Sequence, residues 1–323
     1  RRLNSQFVSL GRSMGNLTIN NNFSRISATA RNVTSDFSRM GKSINSNRDS
    51  IGRLAKRFLT LGAAVKGVKK LWSSIKISTD YVETLNYFNA AFQQVAENAD
   101  LSGWEEAGSE SAEAYINSFR DRAKELTQKL TGFEVSDTGE LTRTSMPSLG
   151  LDPDKTMQYQ ATFAQMTSSM GATSDAAVKV SNALTMIGAD LASVRNMNFD
   201  KVWEDMASGL AGMSRTLDKY GVNIRNVNLQ QKLNSLGIDE SITKINQQDK
   251  ALLRTIILLE STRYAWGDLS KTINQPANQV RLLQSNFQSL SRTIGSLFIP
   301  TLTKVLPYIN AFVIALQRLF AWI

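Results

Sequence analysis

The chain has 323 residues, is 42% hydrophobic and 20% charged, carries a formal charge of +9, and contains neither cysteine nor histidine. Such a length allows two or three domains and a real core. The two missing residue types exclude disulfides, thiolate nucleophiles, Cys/His zinc sites and the commonest proton-transfer side chain, leaving carboxylates for any metal binding.

The charge is unevenly placed. Residues 1–78 hold fifteen Lys and Arg against Asp36 and Asp49, a net +13, so the rest of the chain is net −4. A basic arm suits nucleic acid, anionic lipid or an acidic protein surface, and is equally the solvated face of a long helix. Arg1-Arg2-Leu3 leads into polar residues rather than a signal-peptide core. The start without Met and the ending Phe320-Ala321-Trp322-Ile323 suggest a piece of something longer.

Residues 1–22 carry Leu3, Phe7, Leu10, Met14 and Leu17 at helical spacing, interrupted by Asn20-Asn21-Asn22. From Phe23 the chain steps by alternate threes and fours through Ile26, Ala30, Val33 and Phe37, and on through Phe58, Trp72 and Ile75 to Val82. Only Asn47 and Thr79 interrupt the apolar seam. A mean spacing of 3.5 keeps one stripe of a helix facing a partner helix. If helical throughout, residues 23–82 make a rod about 90 Å long. Up to Asn47 the seam is embedded in Ser, Asn and Thr, poor helix interiors, so this part depends on partners for its order. Bulky Phe23, Phe37, Phe58 and Trp72 favour more than two helices, or packing on a body. Lys66, Lys69, Lys70 and Lys76 intersperse the apolar stretch 62–77, which fits a coiled-coil face or a membrane surface. Beyond Val82 the phase shifts by three to Leu85, Phe88, Phe92 and Val95, where a rod can bend into a globular body.

Residues 96–108 read as an acidic loop, and 109–130 as an amphipathic helix through Ala112, Tyr115, Ile116, Phe119, Ala123, Leu126 and Leu130. Phe133-Glu134-Val135 and Glu140-Leu141-Thr142 flank Asp137-Thr138-Gly139, predicting a β-hairpin within 132–146. Asp152 or Asp154 can cap the next helix. Residues 154–275 form a run of helices punctuated by glycines, with apolar sets such as Val180, Leu184 and Ile187, or Val202, Met206 and Leu210. Past Pro276 come Val280, Leu283, Phe287, Leu290 and Ile294, then a run interrupted by Pro300 and Pro307. Val305–Ile323 is about long enough to span a bilayer. It holds Asn310, Gln317 and Arg318, so packing on the body or on a sister chain is the favoured reading. The fold class expected is all-α: a basic, heptad-patterned, coiled-coil-like arm (1–79), a small helical body with one hairpin (80–275), and a C-terminal apolar helix (276–323).

No motif points to catalysis. Gly62-Ala63-Ala64-Val65-Lys66-Gly67 lacks the order of glycines and the Lys-Ser/Thr of a phosphate loop. The acid pairs Asp152 with Asp154 and Glu204 with Asp205 are the kind glycoside cleavage employs, but they sit beside turns or on helix surfaces, where caps and solvated faces are commoner. The sequons at Asn16, Asn22 and Asn32 carry no meaning without secretion. No catalytic, cofactor-binding or metal-binding residue is predicted.

From about Asp80 to Leu316 the order of segments resembles the tape measure proteins of long-tailed bacteriophages. The likeness is carried by Ser78–Glu83, Tyr87-Phe88-Asn89, Leu149–Pro153 leading into Tyr159–Phe163, Ala189–Ser193 with Asn196–Phe199, Gly209–Gly212 before Tyr220-Gly221-Val222, Lys250–Arg254, Gly267–Gln279 and Ile294–Pro300. The resemblance implies a long, mostly helical, non-enzymatic protein. It would be present in few copies inside the tail tube, fix tail length during assembly, and contact tube and tip proteins. The basic arm then suits an acidic lumen or the phage DNA, and a role in DNA passage across the host envelope follows by the same likeness. The family's repetitive tape region and its occasional hydrolase domains are not seen here. The alternative is a membrane-active, channel-forming protein in which 62–77 and 305–323 insert.

Overall fold

A computed structural model describes residues 61–99, 111–136, 139–144 and 148–296, then 298, 299 and isolated positions after them, with side chains from residue 72 onward. Residues 23–60 of the seam, 100–108 of the loop expected over 96–108, and nearly all of 305–323 lie outside the described residues, while Ala96 and Glu97 are helical rather than loop.

The described chain is mostly helical with one small hairpin. In order it comprises α1 (Leu61–Glu97), α2 (Ala112–Thr131), β1 (Phe133–Val135), β2 (Leu141–Arg143), α3 (Pro153–Ser169), α4 (Ser174–Arg195), α5 (Phe199–Leu210) and the single turn α6 (Arg215–Asp218). Then follow α7 (Asn226–Ser235), α8 (Gln247–Ser261), a 3-10 turn (Arg263–Ala265), α9 (Asp268–Thr272) and α10 (Pro276–Ser296). The expected hairpin is present: β1 and β2 are antiparallel with Glu134 opposite Thr142.

Helix starts follow capping chemistry. Ser111, Asp152, Thr173, Asn198 and Asn246 each accept a backbone N–H from the first turn of the helix they precede. Asp152, with Pro153 behind it, is the cap that the sequence leaves open between Asp152 and Asp154.

Contacts divide the described residues into two compact units, Thr84–Ser285 and a second formed by 61–83 with 286–296. In the first, α4 is central and packs on α2, α3, α5 and α9. Val180, Leu184, Ile187, Val202, Met206 and Leu210 are buried, as their spacing predicts; of Tyr159, Phe163 and Met166, which share helical spacing on α3, Phe163 is buried and the other two are half-buried. Trp203 is 1% exposed and its indole N–H donates to the Thr185 carbonyl at 2.8 Å. It fits because residue 188 is glycine: a Cβ there would lie 2.2 Å from the indole ring. Buried Gln160 is fully engaged, accepting from the Thr127 hydroxyl (2.8 Å) and donating to the Ala123 carbonyl (2.9 Å) and Asn182 Oδ1 (2.6 Å). A satisfied buried amide specifies how α2, α3 and α4 align.

In the second unit α1 and α10 approach closely. A Cβ on Gly295 would fall 2.0 Å from the Ser74 carbonyl oxygen and 2.9 Å from Ser78 Cβ. Ile75, Ser78 and Tyr81 of α1 are buried there, as are Ser289 and Arg292 of α10, and the Arg292 guanidinium lies 5.1 Å from the Tyr81 ring centre.

The buried stripe of α1 differs from the one the spacing predicts. Ile75, Leu85, Phe88, Phe92 and Val95 are buried as expected, but Trp72 is 58% and Val82 45% exposed, and Thr79 is exposed with them. The buried phase runs back from Leu85 through Tyr81 and Ser78 to Ile75 in steps of four, three and three, so it leaves the predicted seam before Val82 rather than after it. The physical reason is the close approach at Gly295, which admits small Ser74 and Ser78 where a bulkier seam residue would not fit. Among the described residues no helix is long and apolar enough to cross a membrane.

Candidate functional site

The segments that carry the resemblance meet at joints of the helical body. Asp190, on α4 and 7% exposed, accepts backbone N–H groups from Gly267 at 2.8 Å and Leu269 at 3.0 Å. It thus caps α9 from another helix and satisfies two amides that the start of α9 leaves open. Gly267 takes a left-handed φ of 74°, a conformation suited to a residue without Cβ. One turn along α4, Ser193 donates to Asp268 Oδ2 at 2.6 Å and lies 2.9 Å from the Thr272 hydroxyl.

Asn278, 3% exposed in the first turn of α10, closes the cluster. Its amide donates to Ser193 Oγ at 2.9 Å, the Thr272 carbonyl at 3.0 Å and Thr272 Oγ1 at 2.9 Å. Arg281 hydrogen-bonds the Asn278 side-chain oxygen and, at 2.5 Å, that of Asn196, whose left-handed φ of 54° ends α4. Segments 189–196 and 267–281, some eighty residues apart in sequence, therefore form one hydrogen-bonded clasp.

Burial pushes the Asp190 carboxyl up to about 7, against the two backbone N–H donors that favour its charged form, with Asp268 nearby adding to the rise. A buried acid titrating there is often a proton-transfer group. Both oxygens of Asp190, however, already hold backbone amides.

The second joint is built on Asp205 of α5, whose side chain is 5% exposed. It receives the Tyr220 hydroxyl at 2.7 Å, Lys219 Nζ at 2.5 Å and Lys201 Nζ at 3.3 Å. Burial pushes its carboxyl up, but the hydrogen bonds from Lys219, Tyr220 and Lys201 outweigh that and hold it below the usual range. The Tyr220 phenol is pushed well above its ordinary value by burial and by its bond to Asp205, so it remains a neutral donor. Its neighbour segment meets it here too: a Cβ on Gly209 would lie 2.3 Å from Leu217. A further link joins Tyr87 of α1 to α3, its hydroxyl donating to Gln165 Oε1 at 2.9 Å.

Three of the four acids singled out in the sequence, Asp152, Glu204 and Asp205, have structural duties. Asp152 accepts the Lys155 backbone N–H at 3.2 Å, Glu204 pairs with Lys201 at 3.0 Å, and Asp205 anchors the knot just described. Among the described residues no group of three or more carboxylates is placed to hold a metal ion. A shallow cleft lined by Met166, Met170, Leu210, Ala211 and Arg254 lies where α3, α5 and α8 converge. Arg254, a resemblance residue, there reaches the Leu210 carbonyl at the end of α5 (3.4 Å). Sequence reasoning missed the Asp190 clasp and the Asp205 knot, although each lies within or beside a quoted segment. Comparison with family models, curated proteins and solved structures finds no match to this chain.

Proposed function

We propose that this chain belongs to a bacteriophage tail tape measure protein, a non-enzymatic helical scaffold that sets tail length and organises assembly of the tail tube. It acts in few copies, assembling in the host cytoplasm and residing in the tail lumen, with tube and tip proteins as its partners. The basic arm faces the acidic lumen or the DNA that follows, and at infection the protein aids DNA passage through the host membrane. One observation supports this reading above the others: the segments that carry the resemblance hold helices to one another. Asp190, Ser193 and Asn278 are occupied by bonds within the chain, as a scaffold requires.

The direct test uses intact tails purified from a phage encoding this chain. The chain should be present and resist protease until the tube is opened. Absence from tails, or digestion on closed tails, would contradict the proposal.

A further inference from the structure

Arg254 of α8 carries a charge that no carboxylate among the described residues matches, whereas Arg122 and Arg225 pair with Asp175 and Asp218. A guanidinium has five N–H donors. Arg254 uses one of them, on Nη1, for a long 3.4 Å bond to the Leu210 carbonyl. Burial pushes its pKa below the ordinary arginine value, and no acid lies near enough to offset that. Charges withdrawn from water are normally paired.

The group is also held in place. It lies beside the turn that ends α5, where a Cβ on Gly212 would come 3.5 Å from Arg254 Cζ. Thr255, the next residue on α8, donates to Met170 Sδ at 3.6 Å and so ties α8 to the end of α3. Between these helices opens the shallow cleft, about 440 Å³, walled by Met166, Met170, Leu210 and Ala251 with exposed Gln248 at its mouth. Among the described residues that line it, Arg254 alone is charged.

We propose that this cleft receives an acidic segment of a partner protein: a glutamate or aspartate carboxylate meets Arg254 while an adjacent aromatic side chain lies on Met166 and Met170. Charge, surface and depth select that occupant. One guanidinium with no second cation beside it matches a singly charged carboxylate through parallel N–H donors. Thioethers are adaptable apolar walls that favour aromatic rings. Small-ligand sites bury roughly 70–90% of their ligand, which a shallow cleft does not do, whereas a side chain carried on a larger surface needs no such depth. The cleft lies wholly within Thr84–Ser285 and is independent of the tail role proposed above.

The test uses the full chain with carbon-13 methyl-labelled methionine, followed by NMR. Met166 and Met170 report on the cleft, and Met157 and Met197 serve as controls elsewhere on α3 and beyond α4. The probes are acetyl-Phe-Glu-amide and its neutral counterpart acetyl-Phe-Gln-amide. The glutamate peptide should shift the two cleft methyls and bind about tenfold more tightly than the glutamine peptide. Arg254→Gln should abolish that preference. Gln248→Glu, an exposed change that leaves the packing untouched, should weaken the glutamate peptide severalfold and leave the glutamine peptide unaffected. No shift, equal binding of the two peptides, shifts as large at Met157 and Met197, or glutamate binding indifferent to Gln248→Glu would each overturn the proposal. Phenylpropionate binding as tightly as the glutamate peptide would overturn the assignment to a protein partner.

Discussion

Asp190 shows how a single side chain fixes a joint. Replacing it by Asn removes one of two acceptors and sets an amide N–H against a backbone N–H. Asp190→Asn should therefore lower stability by about 1–3 kcal/mol in acid, read from urea unfolding. The pH dependence has a definite sign. The folded value, about 7, lies above the ordinary carboxylate value of 3.8, so the stabilisation is complete below that ordinary value and is lost as pH rises through 7. The penalty of Asp190→Asn should shrink between pH 4 and pH 8; a constant penalty would contradict the assignment. Tyr220→Phe should behave oppositely. Asp205 is held below its ordinary value, so its stabilisation is present at neutral pH and lost as acid protonates it. The variant should be destabilised by about 1 kcal/mol at pH 7, a deficit that fades toward pH 3. A deficit equal at both pH values would refute this role for the phenol. Neither joint was legible as a partnership, because the residues involved come from segments far apart in sequence and nothing local announces that residue 190 holds the backbone N–H groups of residues 267 and 269.

At the scale of elements, periodicity located the helices well and their outward faces less well. Apolar spacing at Val180, Leu184 and Ile187, and at Val202, Met206 and Leu210, marked buried faces correctly, since these helices pack on one large core. The hairpin was readable from Gly139 and the alternation on either side of it. Trp72, Val82 and Phe287 have the same apolar character but lie exposed. There the helix contact is made by small and polar residues, and hydrophobic patterning carries no signal for that choice. Gly295 is its keystone. Gly295→Ala places a methyl group against the Ser74 backbone, where no side-chain rotation relieves it. Forcing atoms into such a contact costs about 1–3 kcal/mol. Hydrogen exchange in 286–296 should accelerate while 174–192 keeps its protection; unchanged exchange in 286–296 would show that the close approach is dispensable.

For the whole molecule, the basic arm and the joined helices of the body suggest a division of labour. A helix advances about 1.5 Å per residue whatever its side chains. Continuous helix α1, with 37 residues, thus accounts for about 55 Å of extension. In the body, Asp190, Ser193 and Asn278 fasten helices to one another. The central claim is that extended helix is converted into tail length. The measurement that bears on it most directly is electron microscopy of tails from phage in which heptads are removed cumulatively from residues 23–82. Each heptad should shorten the tail by about 10 Å, so four should remove about 40 Å. Tails of unchanged length across the series would contradict the account.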